Sequence, residues 1–167
     1  MIDAYKPDAI TYCDDLAAAQ NLFMSPSVYR KVLKPHHRRI IDVIVSRNVV
    51  CIQHTCGRCE GIIDDYVEMG IQIWSSAQYM NDLTEIQKKY GKKLLIEGGF
   101  NSSGRAGCID ATVEEILTEA QRCLDAYAKT GNFILYPCIM NERGNGSIVG
   151  DDRFAPLIEF WKEHAYL

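Results

Sequence analysis

The chain has 167 residues, 47% of them hydrophobic and 24% charged, with a net charge of −4. These values describe one globular domain spanning residues 1–167, and without a basic block they exclude the electrostatic footprint of a nucleic-acid binder. Seven cysteines, an odd number, occur without a secretory signal, and no stretch of about 18 apolar residues is present. A cytoplasmic protein with reduced thiols or thiolate metal ligands is therefore expected, not a disulfide framework.

Short β-rich runs alternate with helical patterns along the chain. "AITYC" at 9–13 is the first strand, and Asp14 and Asp15 stand at its end. Ser25-Pro26 then offers an N-cap followed by proline at the first helical position, opening "SVYRKVLKPHHRRIIDVIVSRN", which Pro35 should kink or divide. The cationic cluster His36-His37-Arg38-Arg39 within it reads as a solvated helix face. "VVCIQH" at 49–54 is the second strand, delivering His54 and Cys56. A helix over "CEGIIDDYVEMG" and a third strand, "IQIWSS" at 71–76, follow. Next come a helix over "NDLTEIQKKYG" and a fourth strand, "KLLIEGG" at 93–99, which presents Glu97. Thr112-Val113-Glu114-Glu115 is a capping box whose helix places Ile116, Leu117, Ala120, Cys123, Leu124 and Tyr127 on one stripe. The fifth strand, "FILYPC" at 133–138, carries Cys138, and "FAPLIEFWKEHA" closes the chain as a helix.

The strands are apolar nearly throughout, as expected of a parallel sheet covered on both faces. The βα alternation fits either an open doubly wound sheet or part of a (β/α)8 barrel, whose full length is about 250 residues. "CDDLAAAQ" after the first strand has no G-x-G-x-x-G, which disfavours a dinucleotide fold, and "GGFNSSG" at 98–104 lacks the lysine of a phosphate-binding loop.

In both architectures functional groups collect beyond the carboxyl ends of the strands. His54 and Cys56 are two residues apart, so in extended chain their side chains point the same way, and imidazole with thiolate is a good zinc pair. The third ligand is either Cys59, giving a local knuckle or redox pair, or Cys138, giving a site built from two strand ends. The competing structural reading makes His54 a satisfied polar group and the cysteines packing residues. Asp14 and Asp15 are candidates for a substrate-facing role, of which at most one should face the site, and otherwise serve as turn carboxylates. Glu97 is a candidate ligand or base, and otherwise a partner of backbone N–H groups.

Three stretches together, "CDDLAAAQNLFMSPSVYRKVLKPHHRRIID", "HTCG" and "GGFNSSGRAGCIDATVEEILTEAQRCLDAY", resemble the uroporphyrinogen decarboxylase superfamily, and within it the zinc-dependent methyltransferases that act on corrinoid proteins. The resemblance extends over nearly all of residues 8–150. It implies the carboxyl-terminal half of a (β/α)8 TIM barrel, zinc held by His54, Cys56 and Cys138, and a cobalt corrinoid carried by a partner protein, while Asp14, Asp15 and Glu97 stand as catalytic candidates by their strand-end positions. It further implies a small-molecule methyl donor or acceptor, with no nucleic acid or membrane partner. Where family members have an aspartate after the glycine pair, Asn101 stands here beside Phe100. The alternatives are a uroporphyrinogen decarboxylase using Asp14 or Asp15 against a pyrrole nitrogen, and a non-catalytic half barrel that pairs with another chain. Unpaired strand edges and an uncovered apolar face predict a homo-oligomer for a half barrel.

Overall fold

A computed structural model of the chain describes residues 2–141, 144–145 and 151–164. After a short helix α1 (Ile2–Tyr5), strand β1 (Ala9–Cys13) is followed by helices α2 (Pro26–Val32) and α3 (Lys34–Val45). Strand β2 (Val50–His54), helix α4 (Ile63–Met69), strand β3 (Ile73–Ala77), helix α5 (Leu83–Tyr90) and strand β4 (Leu95–Gly98) come next. Helix α6 (Val113–Tyr127) and strand β5 (Phe133–Leu135) precede the two-residue strands β6 (Met140–Asn141) and β7 (Gly144–Asn145) and helix α7 (Phe154–His164).

Local chemistry sets these boundaries. Ser25 accepts the Val28 N–H and caps α2; with Pro35 in the first turn of α3, the predicted long helix becomes two, divided at Leu33. Thr112 and Glu115 form the reciprocal capping box at α6, and Gly70, at φ 91°, closes α4 in the left-handed region.

The five long strands form one parallel sheet in the order β1-β2-β3-β4-β5. This sequential order has no switch point, so it is barrel topology and not a doubly wound sheet, in which the strand order reverses. Crossovers of uniform hand then place every helix on the same side of the sheet. Burial follows that rule: Cys51, Gln53, Trp74 and Ile96 are buried on the helix side, where α3 packs on β2, α5 on β4 and α6 on β5. The expectation of strands covered on both faces is therefore corrected. The other face carries Thr11, Ile52, Ile73 and Leu95 in one register row and Cys13, His54, Ser75, Glu97 and Ile134 in the next, and of these Thr11, Cys13 and Ile134 are exposed. Such rows are the layers that fill the interior of a closed (β/α)8 barrel.

The cationic cluster is also partly corrected. His36 and Arg39 are exposed, but His37 is buried at 3% exposure. Arg30, Lys34 and Arg38 spread instead along one seam onto α4: Arg30 and Lys34 both meet Asp65, and Lys34 and Arg38 meet Glu68. Against the desolvation that would raise it, these cations hold the Asp65 carboxyl below its usual range. No helix among the described residues is long and apolar enough to cross a membrane.

The two faces of the sheet should respond differently to truncation. Ile96→Ala, fully buried under the helices, is expected to lower the unfolding free energy by about 2–5 kcal/mol. Ile134→Ala, 39% exposed on the open face, should cost under about 1 kcal/mol in the same urea titration.

Candidate metal centre at the strand ends

The register row Cys13, His54, Ser75, Glu97 crosses four parallel strands at their carboxyl ends. Beyond β2 the alternation of an extended chain continues for two residues, and Thr55 decides which way it points. Its hydroxyl donates to the Asp14 carbonyl at 2.9 Å and lies 2.9 Å from the Tyr66 hydroxyl, while its carbonyl accepts from the indole of Trp74 at 3.1 Å. With Thr55 fully buried on the helix side, His54 and Cys56 emerge together on the open side, each half-buried.

Their geometry is close. The His54 Nδ1 lies 3.4 Å from the Ser75 hydroxyl, which leaves Nε2 facing the Cys56 Sγ at 3.7 Å. A bulge in β3 between Ser75 and Ala77, with Ser76 at φ 59°, breaks the alternation there, and the Ser76 hydroxyl reaches the Cys56 thiol at 3.2 Å. Burial raises the Cys56 thiol pKa; the Ser76 hydrogen bond opposes this, and the nearby Asp15 adds to it. Asp15 is exposed and accepts the Cys56 backbone N–H at 2.7 Å. Ligand atoms of Asp15, His54 and Cys56 all lie within 4.8 Å of one another. Imidazole and thiolate are a pair suited to zinc, and the Asp15 carboxylate is a further oxygen donor within reach of them.

The remaining candidates separate. Cys59 is fully buried in the core and outside the three-residue group, its backbone N–H donating to Asn81; burial drives its thiol pKa far up, and Glu60 and Cys56 add to this. Cys138 lies beyond the end of β5, half-buried and outside the three-residue group, yet close enough that its charge raises the pKa of Cys56. Glu97 stands in the register row on the open face. Burial raises the Tyr136 phenol pKa, and Cys138, Glu97 and Cys56 add to this. Asp14 turns the other way: its Oδ2 pairs with His37 Nε2 at 2.8 Å under the helical layer. The glycine-rich segment is a braced turn, with Asn101 N–H donating to Glu119 and Arg122 donating to the Gly99 carbonyl, each at 2.8 Å.

Sequence reasoning missed the residues that hold this arrangement: Thr55, Tyr66, Asn81, Tyr29 and the role of His37. A legible signal was available for Gly57, which follows the cysteine directly. It sits at φ 85°, donates its N–H to Gln78 at 2.7 Å and accepts from Asn81 at 2.9 Å, and a Cβ there would stand 2.5 Å from the Ala17 carbonyl oxygen. Gly57→Ala is expected to destabilise the fold by about 1–3 kcal/mol in urea unfolding. Gly131→Ala, also at positive φ but with open space around it, should cost about 1 kcal/mol.

Known proteins resemble the chain on these elements. It is 26% identical over 118 residues to the Methylcobamide:CoM methyltransferase MtaA of Methanosarcina barkeri, a match covering 71% of the chain and 33% of that protein. A solved methyltransferase structure from Methanosarcina mazei shares the fold at a TM-score of 0.59 and 22% identity, covering 92% of the chain and 42% of the other. The chain thus spans well under half the length of either protein. The profile of the Uroporphyrinogen decarboxylase (URO-D) family matches residues 4–138, through both strand-end acids, the histidine-cysteine pair and the late cysteine, and the chain belongs to that family.

Proposed function

We propose that this chain carries the zinc site of a methyltransferase that exchanges a methyl group with a corrinoid protein, the metal being held by His54, Cys56 and Cys138. The observation that carries the reading is the projection of His54 and Cys56 from one strand end onto the open face, with Asp15 within ligand distance. Zinc bound there would lower the pKa of a coordinated substrate thiol, making the thiolate available at neutral pH.

The chain's own residues prepare the site. Ser75 fixes the His54 ring through Nδ1, so that Nε2 is the nitrogen turned to the thiol. Ser76 holds the Cys56 Sγ, and Asp15 pins the Cys56 backbone. Glu97, in the register row of His54 and Ser75 on the open face, is the group assigned to orienting the methyl donor or acceptor. Methyl transfer between a methylcobamide and CoM is the reaction named for the Methanosarcina barkeri relative, and a corrinoid on a separate protein is the methyl carrier proposed here. The decarboxylase reading needs a carboxylate free to meet a pyrrole nitrogen; Asp14 is engaged by His37, which leaves that reading the exposed Asp15 alone.

Metal analysis of protein purified under reducing conditions tests the ligand set. Wild type should hold stoichiometric zinc, His54→Ala and Cys138→Ser should lose it, and Cys59→Ser should keep nearly all. Equal loss in the Cys59 and Cys138 variants would overturn the assignment.

The uncovered sheet face supports a homo-oligomer of this chain. In sedimentation at about 10 µM the expected species is a dimer or larger. A monodisperse monomer would contradict it.

A further inference from the structure

We infer that His37, on α3, is a positioning residue for the metal half-site, acting through Asp14; this inference rests on the zinc reading above. The His37 ring is buried at 3% exposure, with the rings of Tyr12 and Tyr29 packed at centroid distances of 5.5 and 5.6 Å. Both ring nitrogens are engaged: Nε2 lies 2.8 Å from Asp14 Oδ2, and Nδ1 lies 3.3 Å from the Tyr29 hydroxyl. A carboxylate only accepts, so Nε2 carries the proton in that contact. Tyr29 is itself 1% exposed, so the imidazole is oriented from behind by a group that has no freedom to swing.

Asp14 is the point at which this buried pair meets the site. Its backbone N–H donates to the His54 carbonyl at 3.1 Å, and its carbonyl accepts the Thr55 hydroxyl at 2.9 Å. The next residue, Asp15, accepts the Cys56 N–H. Residues 14 and 15 are thus stitched to each of His54, Thr55 and Cys56 in turn. The Asp14 side chain is the strut that ties this stitched segment to the helical layer, and His37 is its anchor. Without it the stitched segment would be free to shift as a unit against the helical layer, carrying His54 and Cys56 away from Ser75 and Ser76 on β3. Outer partners that orient ligands in this way characteristically change metal affinity by about 10–100-fold.

The test uses the full chain with zinc alone and with cobalt(II) alone, reading zinc affinity by chelator competition and the thiolate-to-cobalt charge-transfer band by absorbance. His37→Phe and Asp14→Ala should each weaken zinc at least about tenfold and alter the cobalt band. His37→Gln, which keeps a donor for the carboxylate, should recover most of the affinity. The double variant should be no weaker than the weaker single one, because both remove the same strut. Asp14 is one-third exposed, so Asp14→Ala decides the matter if His37→Phe does not fold. Unchanged affinity and band in a folded variant, or losses that add in the double variant, would overturn the inference while leaving the zinc site standing. A wild type that binds neither metal would remove both.

Discussion

Thr55 sits between the two metal-ligand candidates, and every polar group it has is used on the buried side. Its hydroxyl joins Asp14 to Tyr66 and also accepts from Gln53, and its carbonyl takes the Trp74 indole N–H. Turning Thr55 outward would leave buried donors and acceptors without partners, at about 1–3 kcal/mol each. That penalty fixes the phase of the chain as it leaves β2. In extended backbone the phase of one residue sets the faces of its neighbours, so a buried threonine is what presents an imidazole and a thiol side by side.

The one-sided sheet follows from strand order. With five parallel strands in sequence, all crossovers return on one face, and Cys51, Trp74 and Ile96 become the core beneath the helices. The opposite face keeps three apolar side chains, Ile52, Ile73 and Leu95, in the register row next to that of the site, with Thr11 at its edge. In a closed barrel such an apolar layer seals the strand ends from below and lowers the local dielectric, which strengthens interactions between charged groups there. The site's chemistry and the closure of the sheet are for this reason coupled.

Rigidity around the site comes from backbone close approach as well as from hydrogen bonds. Gly57 passes the Ala17 carbonyl, and Gly98, at φ 153°, passes the Ala77 carbonyl so closely that a Cβ would lie 2.3 Å away. Together with the Ser76 bulge, these contacts lock four successive strand ends against one another. Behind them the Arg30, Lys34 and Arg38 seam onto Asp65 and Glu68 holds α2 and α3 to α4, so the layer that carries His37 is itself tied down.

The sequence by itself determined the elements and the family. Caps at Ser25, Thr112 and Gly70, the break at Pro35 and the β-rich runs are local signals, and the structure reproduces them because propensity and capping act over a few residues. The two-residue spacing of His54 and Cys56 was legible for the same reason, since alternation is a local property of strands. What only the tertiary structure decided were the relations between distant segments. Continuous apolar strands suggested cover on both faces, but strand order, not composition, places the helices. His37 looked like part of a solvated cationic face because charge patterning along a helix does not show that a carboxylate 23 positions earlier in sequence, Asp14, will meet it in the core. Likewise Asp15 looked equivalent to Asp14, and only the pairing of β1 with β2 turned one toward the helices and the other toward Cys56.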